Sequence, residues 1–246
     1  MEGFKYTFSL GIKAIEFDVL ISKDNIPVLF HDYTLNTNMV KDSSGKWIEN
    51  SDLKILDLTF NEISKYNIES LKPGSSYADR FKKQKSAKGA KIPKLVDLFK
   101  LASEEKNKDV FLNLEIKSTP KIKDLTPKPK DMVARILKDI KLFNLQDRIV
   151  VTSFDWRILY EMKNQNPEIL RGFLTLQQDL GSTKKNIYEN SPWIEKKFPL
   201  EDYFLIPNMI KSLEGHVWSA FYRDITRKNV ELAHKHGSCC KCLDCK

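Results

Sequence analysis

Segments with strand character alternate with segments of helical character along most of this 246-residue chain, and that alternation limits the fold more than any other feature. A strand, a helix and a second strand in succession form a βαβ unit, and a run of such units builds a parallel sheet covered by helices. Residues 2–10 read as a helix stopped at Gly11, and 13–21 as a strand rich in β-branched and aromatic residues. A turn at 22–25 and a short strand at 28–30 follow. Helical patterns recur at 95–106, 132–143, 156–163 and 224–236, and strands are expected at 110–117, 148–154, 172–176 and 203–206. Residues 32–92 carry turn formers, charges and few long apolar runs, so they read as an insertion capping a site rather than as further repeats. The prolines and lysines of 119–130 mark a surface loop.

The length suits one α/β domain, since a closed barrel takes about 250 residues. Apolar residues at 41% and charged residues at 30% describe a folded chain rather than a disordered one. No apolar run approaches the ~18 residues of a membrane span, and the N-terminus lacks the pattern of a signal peptide. A formal charge of +8 invites a nucleic-acid partner. The lysines are scattered, however, arginine is scarce, and no zinc-finger, RNA-platform or basic-helix pattern is present. A solvated lysine-rich surface is the better reading, with no nucleic acid among the partners.

Two strands carry the chemistry. Period-2 alternation places Ala14, Glu16, Asp18 and Leu20 on one face of the first and Ile15, Phe17, Val19 and Ile21 on the other. In 110–117 one face carries Phe111, Asn113, Glu115 and Lys117, while Leu112, Leu114 and Ile116 occupy the other. A half-exposed antiparallel sheet would turn such polar faces to water. In a parallel barrel they point inward and are largely buried, where carboxylates must be paired, protonated or bound to a cation. Glu16, Asp18 and Glu115 offer hard oxygen ligands without thiolates, a set suited to Mg²⁺ or Ca²⁺ rather than structural zinc.

His31 ends the short strand at 28–30, a position suited to acid–base work near neutral pH, although a lone His is more often a surface or core residue. The carboxylate strand beside it tips the balance. His216, His234 and His236 lack such context and read as structural. Lys117 is either a solvated strand-end lysine or an ammonium placed beside a substrate phosphate. No Gly-rich phosphate loop, nucleophile elbow or His-Glu-x-x-His motif is present.

An ordered set of motifs then resembles one family. It comprises Gly11-Ile12-Lys13-Ala14-Ile15-Glu16-Phe17-Asp18-Val19, Ser22-Lys23-Asp24-Asn25-Ile26-Pro27-Val28, His31-Asp32, Ile92-Pro93-Lys94-Leu95, Leu112-Asn113-Leu114-Glu115-Ile116-Lys117 and Val151-Thr152-Ser153-Phe154-Asp155. It continues through Val217-Trp218-Ser219 to the helix ending at Gly237. The pattern resembles the glycerophosphodiester phosphodiesterases, and Lys72-Pro73-Gly74-Ser75-Ser76-Tyr77-Ala78 with Arg80-Phe81 is similar to their bacterial type with a long insertion.

The resemblance implies a TIM-type (β/α) barrel of the phospholipase C-like phosphodiesterase kind, as one domain over 1–246 with an insertion or cap at 32–92. It implies hydrolysis of a small glycerophosphodiester to glycerol 3-phosphate and an alcohol, in glycerophospholipid degradation. Glu16, Asp18 and Glu115 would bind a divalent cation, Mg²⁺ or Ca²⁺, His31 would be one of two catalytic histidines, and Lys117 would contact the phosphate. In the family mechanism the glycerol hydroxyl attacks phosphorus, one His acts as base, the other protonates the leaving alcohol, and water opens the cyclic phosphate. Relatives with the long insertion are often exported to the periplasm, on a signal that would lie upstream of Met1.

Two departures accompany the resemblance. Met1-Glu2-Gly3-Phe4 aligns just after the family's Pro-Glu-Asn-Thr, so the barrel is expected to be incomplete here, lacking its first strand with a catalytic His and its last strand. A non-catalytic remnant of the fold is the alternative reading. All four cysteines, Cys239, Cys240, Cys242 and Cys245, lie in the last eight residues. Neither zinc-site spacing nor a disulfide framework accounts for them, so 238–246 reads as an aberrant tail. Sliding the reading frame forward by one base turns Cys codons into Val or Ala codons. The tail can then read Val-Val-Asn-Val-Trp-Thr-Val, a β-branched strand with the Trp-Thr-Val expected there, and a frameshift is the reading adopted.

Overall fold

In the computed structural model, which describes residues 1–179 and 185–243, α1 (Glu2–Ser9) ends at a turn in which Gly11 takes φ +69°. A side chain disfavours that left-handed conformation, so the glycine is the expected stop. β1 (Ala14–Ile21) follows and turns through Asn25 into β2 (Pro27–Leu29), which pairs antiparallel with its last three residues, Val19 to Ile21. The insertion contributes two short helices, α2 (Phe60–Ile63) and α3 (Ser76–Arg80). The chain then runs through α4 (Leu95–Ala102), β3 (Phe111–Ile116), α5 (Pro129–Leu142), β4 (Ile149–Ser153), α6 (Trp156–Gln165) and β5 (Leu170–Thr175). It continues with α7 (Ile206–Ser212), β6 (Val217–Phe221), α8 (Arg227–Lys235) and β7 (Cys239–Leu243).

The strands form one sheet in the order β2-β1-β3-β4-β5-β6-β7, parallel throughout except for the β1–β2 hairpin. Alternation decides the layers. Ile15, Phe17, Val19 and Ile21 of β1 join Leu112, Leu114 and Ile116 of β3 in one core with Leu95, Leu98 and Phe99 of α4 and Val133, Ile136 and Ile140 of α5. Each such side chain, fully buried, stabilises the fold by roughly 1.5–3 kcal/mol relative to exposure. The other sheet face is the concave one, and Gly172 shows how closely it packs. A Cβ built there lies 2.5 Å from Thr152 Cγ2. The sheet does not close by hydrogen bonds among the described residues, so β2 and β7 are its edges.

Several expectations need correction. Residues 203–206 are no strand: a 3₁₀ turn (Leu200–Tyr203) leads into α7. The aromatic and apolar run suggested a strand, but Pro207 sits in the first helical turn, where its missing N–H costs nothing. Ile206, Met209 and Ile210 are buried at helical spacing. The strand at β6 went unassigned. Cys239–Leu243, within the segment 238–246, forms β7 alongside β6, pairing Cys239 with Val217 and Leu243 with Phe221; this placement neither requires nor contradicts the aberrant-tail reading. Residues 32–92 are also more than turns: Leu35, Val40, Ile48, Ile55 and Ile63 build a second core against Leu20, Val28 and Phe30. Single apolar residues scattered among polar ones left no periodic signal for it.

Candidate active site

Period-2 alternation puts Glu16 and Asp18 on the concave face of β1, and the parallel register pairs Asp18 with Glu115 of β3. One carboxylate oxygen from each of Glu16, Asp18 and Glu115 lies within 4.8 Å of the others. Lys117 Nζ is 2.9 Å from Glu115 Oε1 and 3.6 Å from Asp18 Oδ1. With the carboxylates ionised, three negative charges face one ammonium, a net charge of −2 that complements one divalent cation. All donors are oxygens, as such a cation requires, so the cluster fits a divalent metal site.

The electrostatics express the same crowding. Burial, then repulsion from Asp18 and Glu115, pushes Glu16 up to about 8. Burial also raises Glu115, with Asp18 adding to it against the pull of Lys117. Burial works to lower Lys117, but Glu115 and Asp18 outweigh it and hold the ammonium raised. The expectation of buried carboxylates needs correction for Glu16, which is exposed. The first half of β1 has β3 on one side only, since β2 pairs just with Val19 to Ile21. Glu16 thus touches water while protein crowds its carboxylate from below.

His31, just past β2, is also exposed. Its Nδ1 lies 2.6 Å from Asp32 Oδ1, and Asn36 Nδ2 donates to Asp32 Oδ2 at 2.6 Å. The Asp32 hydrogen bond raises the His31 imidazole against burial and the Lys117 charge, with Asp18 assisting. Burial works to raise Asp32, but its bonds to His31 and Asn36 hold it below the usual carboxylate range. His216 instead accepts from the Arg171 N–H at 3.2 Å, and His236 meets Asn208 at 3.0 Å.

Sequence reasoning missed the layer beneath. Tyr33 donates its hydroxyl to the Ser118 carbonyl at 2.9 Å, and Ser118 Oγ donates to Asp155 Oδ2 at 2.7 Å. Asp155 is fully buried, gripped by Arg157 Nε at 2.8 Å and Nη2 at 2.7 Å, and receives the Arg157 N–H as the cap of α6. This network fixes the end of β3 just beyond Lys117. The Thr152-Ser153-Phe154-Asp155 motif was the available signal, but its partners come from segments far apart in the chain. Beside His31 a cleft of about 380 Å³ opens toward the insertion, lined by His31, Asp32, Met39, Tyr77, Arg80 and Phe81 among others. A smaller hollow of about 140 Å³ near Tyr160 and Lys163 contains none of these groups.

The family model described as the glycerophosphoryl diester phosphodiesterase family matches residues 1–237. The chain belongs to this family. Its similarity to a glycerophosphodiester phosphodiesterase of Caldanaerobacter subterraneus subsp. tengcongensis is 29% identity over 176 residues, covering 70% of this chain and 58% of that one. An uncharacterised Bacillus subtilis protein is 26% identical over 175 residues, 71% of this chain and 60% of its own. The chain thus spans less than two thirds of the length of the curated relatives it matches. Among solved structures, a protein assigned as a glycerophosphoryl diester phosphodiesterase from Silicibacter pomeroyi has a TM-score of 0.82 at 26% identity, covering 99% of this chain and 76% of that one. An Oleispira antarctica phosphodiesterase, solved with the product sn-glycerol-3-phosphate, has a TM-score of 0.64 at 20% identity, with 98% and 76% covered. The family and these likenesses place the open sheet in the TIM-barrel type. No helix among the described residues of this family member is long and apolar enough to cross a membrane.

Proposed function

We propose that this chain is a metal-dependent phosphodiesterase that hydrolyses glycerophosphodiesters to glycerol 3-phosphate and an alcohol, in glycerophospholipid degradation. The observation that carries the reading is the oxygen cluster of Glu16, Asp18 and Glu115 beside the His31–Asp32 pair, within a chain of this family. Glu16, Asp18 and Glu115 would hold Mg²⁺ or Ca²⁺, whose bound charge would stabilise the phosphodiester oxygens. Lys117 adds a second positive charge at the same place, suited to a phosphate oxygen. Asp32 engages His31 Nδ1, which leaves Nε2 to give a proton to the substrate or take one from it. The raised imidazole favours the protonated form, the one that delivers a proton to a leaving alcohol. Residues 32–92 act as a cap on the single domain of the chain.

Release of glycerol 3-phosphate from glycerophosphodiesters, with and without EDTA, tests the proposal. We expect EDTA to abolish release and Mg²⁺ or Ca²⁺ to restore it. Replacing Glu16, Asp18 or Glu115 by Ala should weaken divalent-ion binding by more than the ~10–100-fold that losing a supporting partner costs. Wild-type affinity in all three variants, followed by calorimetry, would remove the metal site. His31→Gln should slow release about 10²–10⁴-fold.

A further inference from the structure

The cleft beside His31 is lined mostly by the insertion, with Phe30 and His31 as its barrel side. α3 is short but anchored: Ser75 Oγ accepts from the Ala78 N–H at 3.1 Å. Tyr77 and Phe81 stand four residues apart on it, with ring centroids 6.1 Å apart and planes at 43°, forming one aromatic wall. Tyr77 lies beside Asn36, which itself holds Asp32. The wall is thereby linked to the pair that orients His31. At about 380 Å³ the space has the size of a small-molecule site.

The charges in this cleft are selective. A quaternary ammonium is recognised by open aromatic faces and an available carboxylate. Here the Arg80 guanidinium lies over the Phe81 ring, 5.2 Å from its centroid, and occupies the place such a cation would take. Asp32 is the carboxylate of the lining, and both its oxygens are engaged, by His31 and Asn36. Arg80 makes no ion pair among the described residues, so its charge and its N–H donors face the cleft without a neutralising acid. A polyhydroxy alcohol supplies the acceptors that guanidinium donors seek and brings no opposing charge.

Resting on the phosphodiesterase reading, we propose that this cleft holds the leaving alcohol of the substrate, and that Arg80 selects a neutral polyhydroxy head group over a quaternary ammonium. Dissociation constants for glycerophosphoglycerol and glycerophosphocholine are measured by calorimetry with Ca²⁺ present, on the full chain in a His31→Gln background that slows turnover. Release of glycerol 3-phosphate is followed in parallel on the wild type. We expect the glycerol diester to bind at least ~10-fold more tightly, in line with the strength of contacts between cations and aromatic faces. Arg80→Ala should narrow the ratio to within about 3-fold, and Arg80→Lys should keep most of it. Equal affinities without substitution, or a ratio that Arg80→Ala leaves unchanged, would overturn the subsite while leaving the hydrolase reading intact. Discrimination in binding without any release of glycerol 3-phosphate would overturn the hydrolase reading alone, and binding of neither diester would remove both.

Discussion

At the scale of single residues, Asp32 decides how His31 behaves. An imidazole near carboxylates is raised by any of them, yet the largest effect here is the 2.6 Å bond from Nδ1 to Asp32. Removing that charge in Asp32→Asn should lower the His31 pKa, and NMR titration of its ring protons in the metal-free chain would measure it. An unmoved titration would assign the shift elsewhere. The linked stability has a definite sign. A pKa raised on folding means that the native state binds the proton more tightly, so the contribution is fully present below about pH 6.5 and fades as pH rises through the folded value. Asp32→Asn should remove that dependence. Asp155 makes a different demand. It is fully buried, and both its oxygens are bound by Arg157. Asp155→Ala leaves a guanidinium and the Ser118 hydroxyl without their acceptor, and should cost about 3–5 kcal/mol in urea unfolding. A loss below ~1 kcal/mol would mean that water replaces the carboxylate.

At the scale of elements, the strands succeed because each does two jobs. β1 and β3 turn one face to the helices and the other to the polar cluster, and both faces were legible as alternation. Gly172 on β5 shows the tightness of the concave side. An added methyl meets Thr152 Cγ2 at 2.5 Å, and Thr152 cannot simply rotate, since its Oγ1 donates to Asn113 Oδ1 at 3.0 Å. Gly172→Ala should therefore destabilise by about 1–3 kcal/mol, the range for overpacking. A chemical denaturation midpoint equal to wild type would show that the neighbours give way freely. The helix α7 teaches the opposite lesson. The run leading into it, with Tyr203, Phe204 and Ile206, pointed to a strand over 203–206, and the tertiary burial of Ile206, Met209 and Ile210 on one helical stripe overrode that local preference.

At the scale of the whole molecule, the sheet is an arc whose open ends are β2 and β7, and the insertion packs its own small core against the β1–β2 hairpin. The cysteine-rich segment takes a strand position at one edge of that arc. The frameshift reading predicts what the gene holds there: read one base forward from codon 239, it should encode a strand containing Trp-Thr-Val. Sequencing through codon 246 decides the matter, and a shifted frame with an immediate stop would remove the reading. By itself the sequence determined the alternation of strands and helices, the inward set Glu16, Asp18, Glu115 and Lys117, and the position of His31 at a strand end. These are local in origin, because side-chain alternation along a strand needs no knowledge of its neighbours. Only the tertiary structure decided the register that brings Asp18 opposite Glu115 and the exposure of Glu16 at a half-paired strand. It also decided the network from Tyr33 through Ser118 to Asp155, and the placing of Tyr77 and Phe81 at the same cleft as His31. The reason is distance along the chain: Tyr33 and Ser118 stand 85 residues apart, and Ser118 and Asp155 37. Contacts between segments so far apart depend on how separate elements dock, which no local pattern encodes.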